Sequence, residues 1–285
     1  MTKIGLVNCQ KFYGGKPLVC DNIFYSKEFI EFSTNIGCPV NCSKYCPQDV
    51  TVKRYVGKRF MSFEEFKAVI DKIPTDVGIV FSGFSEPFVN PDCLRMIKYV
   101  SSLNYSIVIF TTLFGVTKQT LEELIKMKYA GFCLHLPDGN VTRFQITEEY
   151  KDNVFSAMQR IPNISVVLMN SLFESNDREN IVRGILPKPK HIGWCRALST
   201  FQPVILPNAD AYLCCMDFGL WHNLGNMITD GYDSVKKNYR NQKPFELCKY
   251  CSRNTPYYRH IGRIFVDFLR NRRLPTGSRR QPKEV

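Results

Sequence analysis

A chain of 285 residues is long for one domain and short for two full ones, and its 44% apolar and 22% charged content predicts a sizeable core. No apolar run approaches the ~18 residues that a bilayer-spanning helix needs, and no apolar stretch ending in a small-residue cleavage site opens the chain, so neither a membrane-spanning helix nor a secretory signal is expected. The balance of Lys and Arg over Asp and Glu, 38 to 26, gives a net charge of +12, and twelve cysteines with no export signal predict metal or redox use in a reducing compartment, the cytoplasm.

Residues 1–30 read as an N-terminal extension. Phe32 to Ile36 is predicted as a strand running into a cysteine-rich loop. Ser62 and Glu65 form a capping box that opens a helix with Phe63, Phe66, Val69, Ile70 and Ile73 on its apolar face. Val77 to Phe81 is a buried strand, and Asn90 with Pro91 caps a helix to about Leu103. The strand Tyr105–Thr111, a helix near 118–128, the strand Gly131–Leu136, the helix Glu148–Ile161 and the strand Ile164–Met169 follow in turn.

Strands alternating with helices predict a parallel sheet with crossover helices, hence an α/β fold. Five such units, with a weak sixth strand near His191–Trp194, are too few to close an eight-unit barrel, so a partial, splayed (β/α) barrel over residues 31–189 is expected. Chemistry in such folds collects at the carboxyl ends of the strands.

From about residue 190 the pattern changes. A hairpin of Val204–Leu206 and Ala211–Met216, a helix near Tyr232–Arg240 and the pair Cys248-x2-Cys251 read as a small appended cysteine module, residues 190–256. Over 257–273, Ile261, Ile264, Phe265, Phe268 and Leu269 fall at helical spacing, interrupted by Arg259, Arg263 and Arg270. This basic amphipathic helix either packs on the body with a solvated basic face or lies against an anionic membrane. Residues 274–285 read as a disordered basic tail.

The most informative run is Ile36-Gly-Cys38-Pro-Val-Asn-Cys42-Ser-Lys-Tyr-Cys46-Pro, at the end of the first strand. Three close thiolates are the soft ligands of an iron–sulfur cluster, and they leave the fourth iron of a 4Fe–4S cluster open. A zinc knuckle usually pairs Cys-x2-Cys units and needs four ligands, and no fourth lies nearby in sequence. At the end of the second strand stands Phe81-Ser-Gly83-Phe84-Ser85-Glu86-Pro87, where small residues allow a ligand close to the backbone.

In this order the two elements resemble those of the radical S-adenosylmethionine (radical SAM) enzymes. That family's usual loop is Cys-x3-Cys-x2-Cys, so the second gap here is one residue longer, and Phe84 stands at the usual second glycine of the family's Gly-Gly-Glu-Pro motif. The resemblance implies that Cys38, Cys42 and Cys46 hold the first cluster. It implies that Tyr45 lies near the adenine of the cofactor, and that Gly83, Phe84, Ser85 and Glu86 meet its methionine amino group. Two looser likenesses, Phe110-Thr-Thr112-Leu and Cys133-Leu-His135-Leu-Pro-Asp-Gly139, place Thr112 and His135 toward cofactor or substrate, and Asn170 is a weaker candidate after the fifth strand.

The run Leu206 to Asp217, with Cys214 and Cys215, followed by His222 to Asn226, resembles the auxiliary-cluster module called SPASM and its shorter form, twitch. Ala209 stands where that module has a glycine. The resemblance implies a second 4Fe–4S cluster on Cys195, Cys214, Cys248 and Cys251, with Cys215 as an alternative to Cys214. Tetrahedral zinc also suits two separated cysteine pairs and stays open. Cys9, Cys20, Cys93 and Cys133 lack ligand spacing and read as buried apolar residues.

The mechanism implied is reductive cleavage of S-adenosylmethionine and abstraction of a substrate hydrogen atom by the resulting 5′-deoxyadenosyl radical. A fully ligated auxiliary cluster favours a net oxidation, and an electron donor such as flavodoxin or ferredoxin would supply the first cluster. The 37 residues before Cys38 are too few for the leader-binding module of peptide-maturing relatives, which tilts the expected substrate toward a small polar metabolite such as a sugar. Modification of a peptide or protein is the second reading. A non-catalytic iron–sulfur or zinc protein whose basic tail binds a polyanion is the third, and no specific nucleic-acid site is read from the sequence.

Overall fold

The computed structural model describes residues 28–42, 46–137, 144–168 and 195–251. Most of the N-terminal extension, Tyr45, Asn170, the strand expected at His191–Trp194, the basic helix at 257–273, the tail, Cys9 and Cys20 lie outside the described residues. No helix among the described residues is long and apolar enough to cross a membrane.

Eight strands form a single sheet in the order β5-β4-β3-β2-β1-β6-β7-β8. The first five are β1 (Phe29–Phe32), β2 (Gly78–Phe81), β3 (Ile107–Thr111), β4 (Gly131–Leu136) and β5 (Ile164–Leu168). All pair in parallel, as the alternation of strand and helix predicted. The architecture is an open, mostly parallel α/β sheet, a partial barrel. The sixth parallel strand, β6 (Val204–Ile205), pairs with β1. The hairpin of β6 with β7 (Asp210–Tyr212), extended by β8 (Asn223–Asn226), therefore continues the main sheet.

The period of two along each strand divides the sheet into two faces. Ile30, Phe32, Ile79, Phe81, Ile107, Ile109, Phe132 and Leu134 join one large core with the helices. Those helices are α2 (Phe63–Ile70), α3 (Cys93–Ser102), α4 (Lys118–Ile125) and α5 (Glu148–Arg160), after a short α1 (Gln48–Arg54) that the sequence reading missed. Each large apolar side chain buried there contributes roughly 1.5–3 kcal/mol. The alternate residues Phe29, Val80 and Val108 make a separate closed floor on the opposite face, with Phe110 packed against it. Toward the strand ends that face opens: Glu31, Ser82, Phe110 and His135 are each half-buried.

Local signals held where they were complete. Ser62 accepts from the Glu65 amide, and the Glu65 carboxylate accepts from the Ser62 amide at 3.1 Å, closing the capping box of α2. One expectation needs correction. The first strand is Phe29–Phe32, and Ser33, Thr34 and Asn35, expected inside it, are fully buried polar residues beyond its end. Asn90 caps the start of α3 as expected, its Oδ1 accepting from the Asp92 amide at 2.9 Å. Its side-chain amide reaches the carbonyls of Thr34 at 2.8 Å and Met61 at 2.9 Å, tying the end of β1 to α2, and α3 begins at Cys93. Cys93 and Cys133 are buried in the body of the domain, as their lack of ligand spacing suggested.

Candidate functional site

The cysteine loop leaves the sheet where β1 ends. Gly37, at φ 83°, takes a left-handed conformation that suits glycine and turns the chain into the loop. The Cys38 amide donates to Gln48 Oε1 at 2.8 Å, so the first residue of α1 fixes the start of the loop. The Cys46 amide donates to the Cys42 carbonyl at 2.9 Å. Cys38, Cys42 and Cys46 share one apolar cluster with Val40, Phe114 and Phe144.

Burial pushes the Cys38 thiol up to about 11, with the nearby Glu86 carboxyl adding to the rise. The amides of Val40 and Glu86 oppose it by donating toward the sulfur. Amide donors aimed at a sulfur in an apolar pocket stabilise a metal-bound thiolate, so this donor set fits an iron–sulfur cluster, and loading it would release protons. Among the described residues, no three His, Cys, Asp or Glu side chains converge as they would around a single metal ion.

The loop after β2 lies against the extension of β1. Gly83, at φ 89°, could not carry a side chain, since a Cβ there would stand 2.7 Å from Cβ of Ser33. The Gly83 amide donates to Glu31 Oε1 at 2.8 Å, and the Phe84 amide donates to Ser33 Oγ at 3.0 Å. Asn35 Nδ2 donates to Ser85 Oγ at 2.5 Å. Phe84 turns out of the loop and packs edge-on against Phe218, ring centroids 5.5 Å apart.

Glu86 is buried, and its carboxylate is fully engaged by the protein. Thr111 Oγ1 donates to one oxygen at 2.5 Å, while the Thr112 amide and hydroxyl donate to the other at 2.7 and 2.8 Å. Burial raises its pKa against these bonds, which act to lower it. Glu86 and Thr112 thus brace the ends of β2 and β3 together, and the Thr112 hydroxyl is committed to Glu86. Tyr150 closes the same corner by donating to the Thr112 carbonyl at 2.7 Å. His135 is half-buried on the open face of β4, its ring 6.0 Å from that of Phe110.

Three chain segments carry the second cysteine set. Cys195 precedes α6 (Arg196–Ser199), Cys214 and Cys215 follow β7, Cys248 lies on the short 3-10 helix Glu246–Lys249, and Cys251 follows it. Cys214, Cys215 and Cys251 share one apolar cluster with Phe84, Met216 and Phe218. Tyr239, on α7 (Tyr232–Arg240), lies beside the thiols of Cys195, Cys214 and Cys215. Burial raises the Cys214 thiol well above its usual value, as does the neighbouring Cys215. The hairpin turn carries Ala209 at φ 66°, the left-handed position of a three-residue hairpin loop, which explains why a glycine is usual there. Asp217, fully buried, fixes the return of the chain by accepting from the amides of Trp221 and His222 at 3.0 and 2.9 Å.

The sequence reading missed Glu31, Ser33, Asn35, Gln48 and Thr111. Glu31 carried a usable signal, a lone carboxylate inside the apolar strand Phe29–Phe32.

No protein-family model and no curated protein matches the sequence. Solved structures do. BtrN in complex with AdoMet and 2-DOIA aligns with a TM-score of 0.58 at 18% identity, over 81% of this chain and 98% of that one. This chain shares its fold with BtrN. BtrN in an open conformation aligns with a TM-score of 0.51 at 17% identity, over 79% of this chain and 92% of that one. SuiB of Streptococcus suis bound to precursor peptide SuiA aligns with a TM-score of 0.47 at 14% identity, over 83% and 73%. At such identities the likeness to BtrN is one of fold.

Proposed function

We propose that this protein is a radical SAM enzyme that abstracts a hydrogen atom from a carbon of a small polar metabolite such as a sugar, with net oxidation. One observation carries the reading. The sulfur of Cys38 meets the amide of Glu86, so the thiol loop and the small-residue loop after β2 share one corner, on a fold also found in a structure that holds AdoMet.

In this reading Cys38, Cys42 and Cys46 hold three irons of a 4Fe–4S cluster, and Cys195, Cys214, Cys248 and Cys251 hold a second cluster. Together the first cluster and S-adenosylmethionine would supply one-electron cleavage and a hydrogen-abstracting radical, and the second cluster a route for the substrate's electron. Among the described residues no donor meets the carbonyls of Gly83, Phe84 or Ser85. Those carbonyls suit the amino group of the cofactor. Glu86 and Thr112 act by holding the loop, and His135 meets the substrate on the open face. Tyr45 and Asn170 keep the cofactor-side places that the resemblance implies. The protein would work in the cytoplasm with a flavodoxin or ferredoxin as donor, and its basic segment at 257–273 would touch an anionic membrane surface.

The test is anaerobic reconstitution followed by iron counting and assay of 5′-deoxyadenosine after dithionite and S-adenosylmethionine are added. The expected result is about eight irons per chain, at about four per cluster, with deoxyadenosine formed. About four irons with no deoxyadenosine would mean that the first site does not work. Salt-dependent polyanion binding in place of cleavage would favour the non-catalytic reading.

A further inference from the structure

Glu31, Ser33 and Asn35 stand at alternate positions along β1 and its extension, so their side chains share one side of the chain. They meet three consecutive residues of the loop after β2, in order: Glu31 takes the amide of Gly83, Ser33 takes the amide of Phe84, and Asn35 donates to the Ser85 hydroxyl. The series runs on into the thiol loop, because Ser85 Oγ donates to the Gly37 carbonyl at 3.3 Å and the Glu86 amide meets the Cys38 sulfur. Side chains of one strand thus replace the ladder bonds that a parallel neighbour would have made beyond the end of β2.

From this arrangement we infer that Glu31, Ser33 and Asn35 are positioning residues for the cofactor. Glu31 and Ser33 take the amide donors of Gly83 and Phe84, Asn35 holds the Ser85 hydroxyl, and the carbonyls of the loop are left as a row of acceptors suited to a cationic amino group. A loop with free amides would favour an anion instead. Glu31 matters most, since an ionised acceptor makes a bond about twice as strong as a neutral one. Glycine at 83 follows from the same design, because Ser33 occupies the space a side chain would need.

The inference rests on the S-adenosylmethionine reading, and its test separates the two. The reconstituted full chain is dialysed against labelled S-adenosylmethionine, with iron counted on the same samples. Glu31→Leu removes the acceptor, and Glu31→Gln keeps an amide oxygen for Gly83. The Leu variant should bind about tenfold or more weakly with iron unchanged, the scale of one charge-assisted bond, and the Gln variant should recover most of the affinity. Ser33→Ala, which deletes one hydroxyl, should weaken binding about threefold to tenfold and carries the test if Glu31→Leu does not fold. Unchanged binding in Glu31→Leu and Ser33→Ala overturns the inference, as does loss of iron in parallel with loss of binding. A wild-type protein that holds iron but binds no S-adenosylmethionine overturns the reading beneath it.

Discussion

The two cysteine regions are built by opposite means. Cys38, Cys42 and Cys46 sit on a single loop whose start is fixed by hydrogen bonds, Gln48, Ser85 and Glu86 all meeting Gly37 or Cys38. Cys195, Cys214 and the Cys248–Cys251 pair come from three segments; Cys214 and Cys251 pack with Phe218 and Met216, and Tyr239 lies beside Cys195 and Cys214. Directional bonds fix the start of the first region even before a metal binds, whereas the second depends on its apolar filling. The two meet at α1, where the Thr51 hydroxyl donates to the Phe218 carbonyl at 2.9 Å and Arg54 donates to the Gly219 carbonyl at 3.2 Å.

The contrast can be broken in order of expected effect. Cys38→Ala should abolish deoxyadenosine formation and remove about half of the iron, whereas Cys251→Ala should remove a similar share yet leave cleavage in place, as separate clusters require. Iron assay and product chromatography on both variants check this, and equal loss of cleavage would mean the regions act as one. Phe218→Ala should cost about 3–5 kcal/mol in denaturant unfolding, since the ring fills the core shared by Phe84, Cys215 and Cys251.

Glu86→Gln should cost about 2 kcal/mol, because an amide cannot accept from every donor now pointing at the carboxylate. Its urea midpoint should fall below that of wild type with an unchanged slope. Thr51→Val keeps the shape of the side chain and leaves the Phe218 carbonyl without its donor, an expected loss of about 1 kcal/mol. If calorimetry shows no shift for Thr51→Val, α1 does not join the regions energetically.

The parts legible in sequence were those whose cause is local. The capping box at Ser62, the apolar faces of α2 and α3, and β4 at Gly131–Leu136 follow from short patterns. The thiol run and Gly83 were legible because ligand spacing and left-handed backbone leave a trace in residue type. The first strand was misplaced because Ser33, Thr34 and Asn35 are buried by virtue of partners far away in the chain, such as Phe84 and Pro87. The helix α1 contains Val50, Thr51 and Val52, β-branched residues that argue against a helix, and tertiary bonds through Gln48 and Thr51 hold it. The pairing of β6 with β1 joins segments with no local sign of each other.

Phe84 occupies a position where the resembled motif carries glycine, and its ring closes on Phe218 of the other cysteine region. Glycine at 84 would leave a void in the core that both rings share with Cys215 and Cys251. The aromatic that departs from the motif is therefore a keystone, and the filling of the second cysteine region reaches back through it to the first.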